Sequence, residues 1–165
     1  ISKVYFPRLV VPVSSVITSF IDFLISAIIF MLVMAKYGFV PSTQVIFLPL
    51  FVALALAAAF GAGLWLSALM VRYRDFRFIV PFIVQFGLYV SPVGFSSGVV
   101  PEQWRLLYSI NPMVGVIDGF RWSLLGGDHV IYWQGLCLSS VVVLVLLITG
   151  LQYFRRTERT FADVI

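Results

Sequence analysis

The chain has 165 residues, of which 61% are hydrophobic and 11% charged, and its mean hydropathy is +1.06. Soluble domains average about 45–50% apolar and about 25% charged, so this chain has too little polar surface to cover a water-soluble fold. The composition excludes a soluble enzyme or binding module and points to an integral membrane protein.

In chain order, the segment ISKVYFPR opens without Met and without a signal-peptide pattern, since the apolar run behind it is too long for a cleavable segment. The chain is therefore expected to be the C-terminal piece of a longer protein. A spanning helix needs about 20 apolar residues, and four runs qualify: about 13–35, 44–71, 78–98 and 130–154. Each must be helical, because lipid offers no partner to an open backbone. The runs are too long for barrel strands and lack their strict alternation.

Within the first run, Asp22 is the one acid inside a span, with Ser15, Thr18, Ser19 and Ser26 nearby. Acids at that depth are functional candidates. A polar contact in the protein interior is preferred here to proton coupling. The second run carries Ala55, Ala59 and Gly63 at four-residue spacing, with Ala58 and Ala62 alongside, small residues that let helix backbones approach. Between the second and third runs lies VRYRDFRFIVPF (71–82), with three arginines and one aspartate within six residues. This knot is a topogenic signal or a docking surface for a partner. The third run places Phe78, Phe82, Phe86 and Tyr89 on one face beside Gln85. That stripe is either packing or the wall of a passage on which sugar C–H faces stack while Gln85 exchanges hydrogen bonds with hydroxyls.

Residues 91–129, SPVGFSSGVVPEQWRLLYSINPMVGVIDGFRWSLLGGDH, are too polar for a span and too apolar for a solvated loop. Pro92, Gly94, Gly98 and Pro101 break the third helix. EQWRLLYSI gives one short helix, and a second begins at Asn111-Pro112, where proline suits a first turn, and ends at Gly126-Gly127. The pair is a re-entrant cap or, alternatively, a hairpin lying on the bilayer. Irregular backbone at membrane depth must be covered by protein or line a wet cavity.

Charge sets the orientation. With the N-terminal end inside, Lys3, Arg8, Arg72, Arg74, Arg77, Arg155, Arg156 and Arg159 share the cytoplasmic side, and Lys36, Arg105 and Arg121 the other. Eight against three obeys the positive-inside rule. It also explains the excess of 11 Lys+Arg over 7 Asp+Glu without nucleic acid. Tyr37, Tyr73, Phe76, Trp133, Tyr153 and Phe154 fall near span ends, where interfacial belts form.

No catalytic constellation is legible, and no metal site. Cys137 lies within an apolar run, and His129 beside Asp128 at a span boundary. HExxH and GxxxxGK[ST] are absent, and the lysines are Lys3 and Lys36. Any ATP and Mg must therefore be bound by a separate subunit. A membrane-embedded glycolipid enzyme lacks the residues it would need. A passive channel, or a proton-coupled carrier using Asp22, is the rival class.

KVYFPRLVVPVSS, LWLSALMVRYRDFRFIVPF, YVSPVGFSSGVVPEQWRLLYSINPMVGVIDGFRW and the ending FRRTERTFADVI together resemble the permease subunit of bacterial ABC-type exporters of polysaccharides and polyol phosphates. That family moves O-antigen, capsule or teichoic-acid chains. The resemblance implies an all-α polytopic fold in which these four spans are the third to sixth of six, with two gate helices between the last two. It implies a homodimer in the bacterial plasma membrane, a lipid-linked glycan as cargo, and a separate ATPase as partner. By the same resemblance, Tyr5, Phe6, Pro7 and Arg8, together with Arg72, Tyr73, Arg74, Asp75, Phe76 and Arg77, fall where the ATPase couples. Pro101, Trp104, Arg105, Asn111, Pro112, Asp118, Arg121 and Trp122 fall in the gate.

Overall fold

A computed structural model describes residues 10–73, 75–126 and 131–160. These form six α-helices: α1 Val10–Lys36, α2 Leu48–Arg72, α3 Phe76–Val90, α4 Glu102–Tyr108, α5 Pro112–Leu125 and α6 Trp133–Thr160. Short 3-10 turns occupy Thr43–Phe47 and Ser97–Val99. Three stretches are long and apolar enough to cross a membrane: Pro12–Lys36, Thr43–Arg72 and Trp133–Thr157.

The third apolar run, expected over 78–98, is helical only to Val90. Its 15 residues span ~22 Å at 1.5 Å per residue, short of the ~30 Å hydrocarbon core. The stop is local chemistry. A residue before proline is pushed out of the helical region, and Ser91, ahead of Pro92, is extended at φ −84°, ψ 146°. The Ser91 hydroxyl then donates back to Gly87 O at 2.7 Å, closing the last turn.

The centre of the molecule is the parallel pair α2 and α6, whose contacts advance together from Gly61 against Leu147 to Trp65 against Tyr153. Lipid is as apolar as leucine, so packing and hydrogen bonds hold such a pair together. A Cβ on Gly61 would lie 2.8 Å from Leu147 N, and one on Gly150 would lie 2.7 Å from Gly61 O. Here the two backbones touch because neither carries a side chain. One turn on, Trp65 Nε1 donates to Thr149 Oγ1 at 3.0 Å, and the Trp65 ring stacks on Tyr153 at 4.7 Å. Leu64, Ala68 and Phe154 close the seam.

This seam corrects the row expected from sequence. Ala59 is exposed, and a Cβ on Gly63 would meet nothing within 4 Å. Ala59 and Gly63 lie off the contact face, which follows Ala58, Gly61, Leu64 and Ala68. Four-residue spacing occurs on more than one face of an alanine-rich helix, so spacing alone could not choose between them.

Helix α5 wedges against the first turns of both central helices. The Phe51 ring of α2 fills the notch at Gly119, and Ser139 of α6 fills the one at Gly115. At its end, Ser42 N donates to Leu124 O at 3.4 Å. Helix α1 is nearly bare; Phe23 meets Phe120 of α5 edge-on at 5.9 Å. Asp22 is exposed, so the interior contact expected for it is not made among the described residues. The nearby hydroxyls turn back on their own helix: Thr18 to Ser14 O, Ser19 to Ser15 O and Ser26 to Asp22 O.

Candidate functional site

The candidate residues gather at two ends of α2, whose 25 residues separate them by ~37 Å. At one end lies the arginine knot. Helix α2 stops at Arg72 and α3 starts at Phe76, so three residues join the two helices. Phe76 N donates to Tyr73 O at 3.0 Å, and Phe78 N to Asp75 O at 3.0 Å. The Arg72 guanidinium sits 5.6 Å from the Tyr73 ring centre, and that of Arg77 sits 4.8 Å from that of Phe78. Cation–π contact orients each arginine along the surface while leaving its donors free for a partner. Among the described residues neither arginine joins an ion pair, and both are exposed. Tyr5, Phe6, Pro7, Arg8 and Arg74 lie outside the described residues, as do Asp128 and His129.

At the other end, α4 and α5 form an elbow. Pro101 precedes the first turn of α4. The Asn111 side chain caps α5 by accepting from Met113 N at 3.0 Å, and Pro112 occupies the first turn, as the Asn-Pro pair predicts. Gly126 ends the helix at φ +64°, a conformation that glycine adopts without a Cβ penalty.

Four residues of this elbow converge on the last residue of α3 and the irregular segment 91–98. Arg121 Nη1 donates to Phe95 O at 2.8 Å and Nη2 to Val93 O at 3.1 Å, with Asp118 Oδ1 4.0 Å from Nη1. Arg105 Nη2 reaches Gly98 O at 3.4 Å, and its guanidinium lies 5.8 Å from the Tyr132 ring centre. Asn111 Nδ2 donates to Ser91 Oγ at 3.1 Å, and Tyr108 Oη to Val90 O at 2.8 Å. Burial pushes the Tyr108 phenol above its ordinary value; Asp118 adds to the rise and Arg121 opposes it. The phenol thus stays a donor. Trp104 is exposed. Trp122 sits apart from this cluster, between Phe47 at 5.6 Å and Trp133 at 6.1 Å.

The sequence did not single out Tyr108, Ser109 or Ser139. Ser139 Oγ donates to Ser109 O at 2.8 Å and accepts from Gly115 N at 3.3 Å, tying the elbow to α6. The signal was a serine pair within the apolar run 130–154, where each hydroxyl must find an acceptor. The crevice left near Arg105, Asp118 and Tyr132 is about 10 Å³, room for about one water and none for a sugar.

The stripe on α3 is open. Phe78, Phe82, Phe86 and Tyr89 are 65–77% exposed, and the helix has no buried residue.

A family profile described as ABC-2 type transporter matches residues 2–125. Two proteins of Klebsiella pneumoniae, each called O-antigen export system permease protein RfbA, are 24% and 25% identical to this chain over 166 residues. A protein of that name from Myxococcus xanthus is 25% identical over 167 residues. Each alignment covers 100% of this chain but 63–64% of the relative, so the chain spans under two thirds of these curated relatives.

Proposed function

Given that the chain belongs to the ABC-2 type transporter family of membrane proteins, we propose that it is the permease part of an ATP-driven exporter that moves a lipid-linked polysaccharide out across the bacterial plasma membrane. The observation that carries this reading is the link between α2 and α3. It is three residues long, it presents Arg72 and Arg77 without an ion partner among the described residues, and it joins two helices directly. A displacement applied to such a link cannot be absorbed by slack chain, so it passes into α2 and α3.

In this scheme a separate ATPase grips the knot, Arg72, Tyr73, Arg74, Asp75, Phe76 and Arg77, together with Tyr5–Arg8. Two copies of the permease enclose the path. Helix α3 and the segment after it make the fourth crossing, with Phe78, Phe82, Gln85, Phe86 and Tyr89 on the wall. Aromatic rings bind sugar faces weakly at repeated points, which lets a polymer slide. The elbow from Pro101 to Leu125 closes the outer end. O-antigen is the cargo favoured by the relatives' names; capsule and teichoic-acid chains are the alternatives within the same chemistry.

The test is the double variant Arg74→Glu with Arg77→Glu in the full-length protein. Reversing two charges on the docking face should abolish copurification of the ATPase and export of the glycan, with the permease still inserted. Unchanged complex yield and unchanged export would reduce the knot to a topology signal. Transport that proceeds in vesicles with no ATPase present would favour a carrier using Asp22.

A further inference from the structure

We propose that Arg121 is the positioning residue of a latch that fastens the unwound segment 91–98 to the α4–α5 elbow, and that releasing it frees the end of α3 while α5 stays seated on α6. This inference concerns how the chain is fastened to itself and stands independently of the exporter reading.

The end of α3 leaves carbonyls without helical partners, and Pro92 cannot donate to any of them. Among the described residues, the backbone bonds around this break stay local: Ser91 N to Gly87 O, Val93 N to Ser91 O, Val99 N to Ser96 O and Val100 N to Ser97 O. The segment is thus held to the elbow by side chains. Val90 O, Val93 O, Phe95 O and Gly98 O each accept from Tyr108, Arg121 or Arg105, and Asn111 holds the Ser91 hydroxyl. Arg121 bridges two carbonyls with its planar fork, which a lysine point charge cannot reproduce.

The other face of the elbow is fastened differently. A Cβ on Gly115 would lie 2.6 Å from Ser139 Cβ, and Ser139 and Ser123 are fully buried. That contact is close packing around the Ser139 hydroxyl, whose bonds to Ser109 O and Gly115 N are sealed from water. Arg121 and Asp118 each keep 24% of their side-chain surface exposed, so water can replace the carbonyls as partners. Of the two attachments, the one within reach of water is built to open.

The test uses the full-length protein in detergent with its other cysteines replaced, Cys137→Ser included, and Ser91→Cys as reporter. Ser91 is 6% exposed, so its thiol should react slowly with a water-soluble maleimide. Ala68→Cys in the α2–α6 seam, where the native side chain is 0% exposed, is the reference. Adding Arg121→Ala should raise the alkylation rate of the Ser91→Cys protein by about tenfold or more, as expected for losing two charge-assisted hydrogen bonds, and leave the reference unchanged. Arg121→Lys should fall between. Tyr108→Phe removes one neutral donor and should raise the rate about threefold, which keeps the test alive if Arg121→Ala does not assemble. No change in the Ser91→Cys rate with either variant would overturn the latch. An equal rise in the reference would also overturn it, showing general loosening in place of local release.

Discussion

The α2–α6 seam and the junction of α3 with the elbow are both helix contacts in one small chain, yet they are built from opposite materials. The seam joins backbone to backbone at Gly61 and Gly150, with one indole–hydroxyl bond alongside. The junction joins charged and polar side chains to main-chain oxygens. The first arrangement loses contact with any small separation. The second can trade its partners for water. Within one fold, rigidity and release have been assigned to different chemistries.

The seam gives the largest expected effect. Gly61→Ala puts a methyl against Leu147 N and should destabilise by about 3 kcal/mol, the upper part of the overpacking range. Gly63→Ala, which meets nothing, should be neutral or stabilising by up to about 1 kcal/mol through helix propensity. Thermal melts of the two variants in the same detergent decide the matter; equal melts would erase the contrast on which the rigid side depends. An intermediate effect is expected at the junction. Asn111→Ala loses both the cap on α5 and the bond to Ser91, and should cost about 1–2 kcal/mol, read as a lower melting temperature. The smallest effect on stability belongs to α3. Phe82→Ala with Phe86→Ala removes exposed rings and should shift stability by under about 0.5 kcal/mol, while slowing glycan export if the stripe is a passage wall. Wild-type export by that double variant would remove the stripe from the path.

Much of this was legible before any coordinates. Apolar runs of sufficient length marked α1, α2 and α6. Asn111-Pro112 and Gly126 marked the ends of α5, because capping and φ > 0 are local demands that few residues meet. Ser91-Pro92 marked where α3 fails, although the apolar residues beyond it drew the expected span on to residue 98. The seam was not legible, since Gly61 and Ala59 both sit in small-residue rows and only the position of α6 separates them. Nor was the latch, because Arg121 bonds to peptide oxygens at Val93 and Phe95, and those two side chains carry no trace of it. Asp22 drew attention by its charge, and its setting depends on what packs against α1 beyond the described residues of this chain.

That last kind of contact has a consequence for how the protein tolerates change. Arg121 grips atoms that every amino acid possesses, so substitutions at Val93 and Phe95 leave its acceptors in place so long as the chain keeps its path. The outer rim can therefore vary its side chains, and with them whatever it touches, while the fastening beneath remains intact.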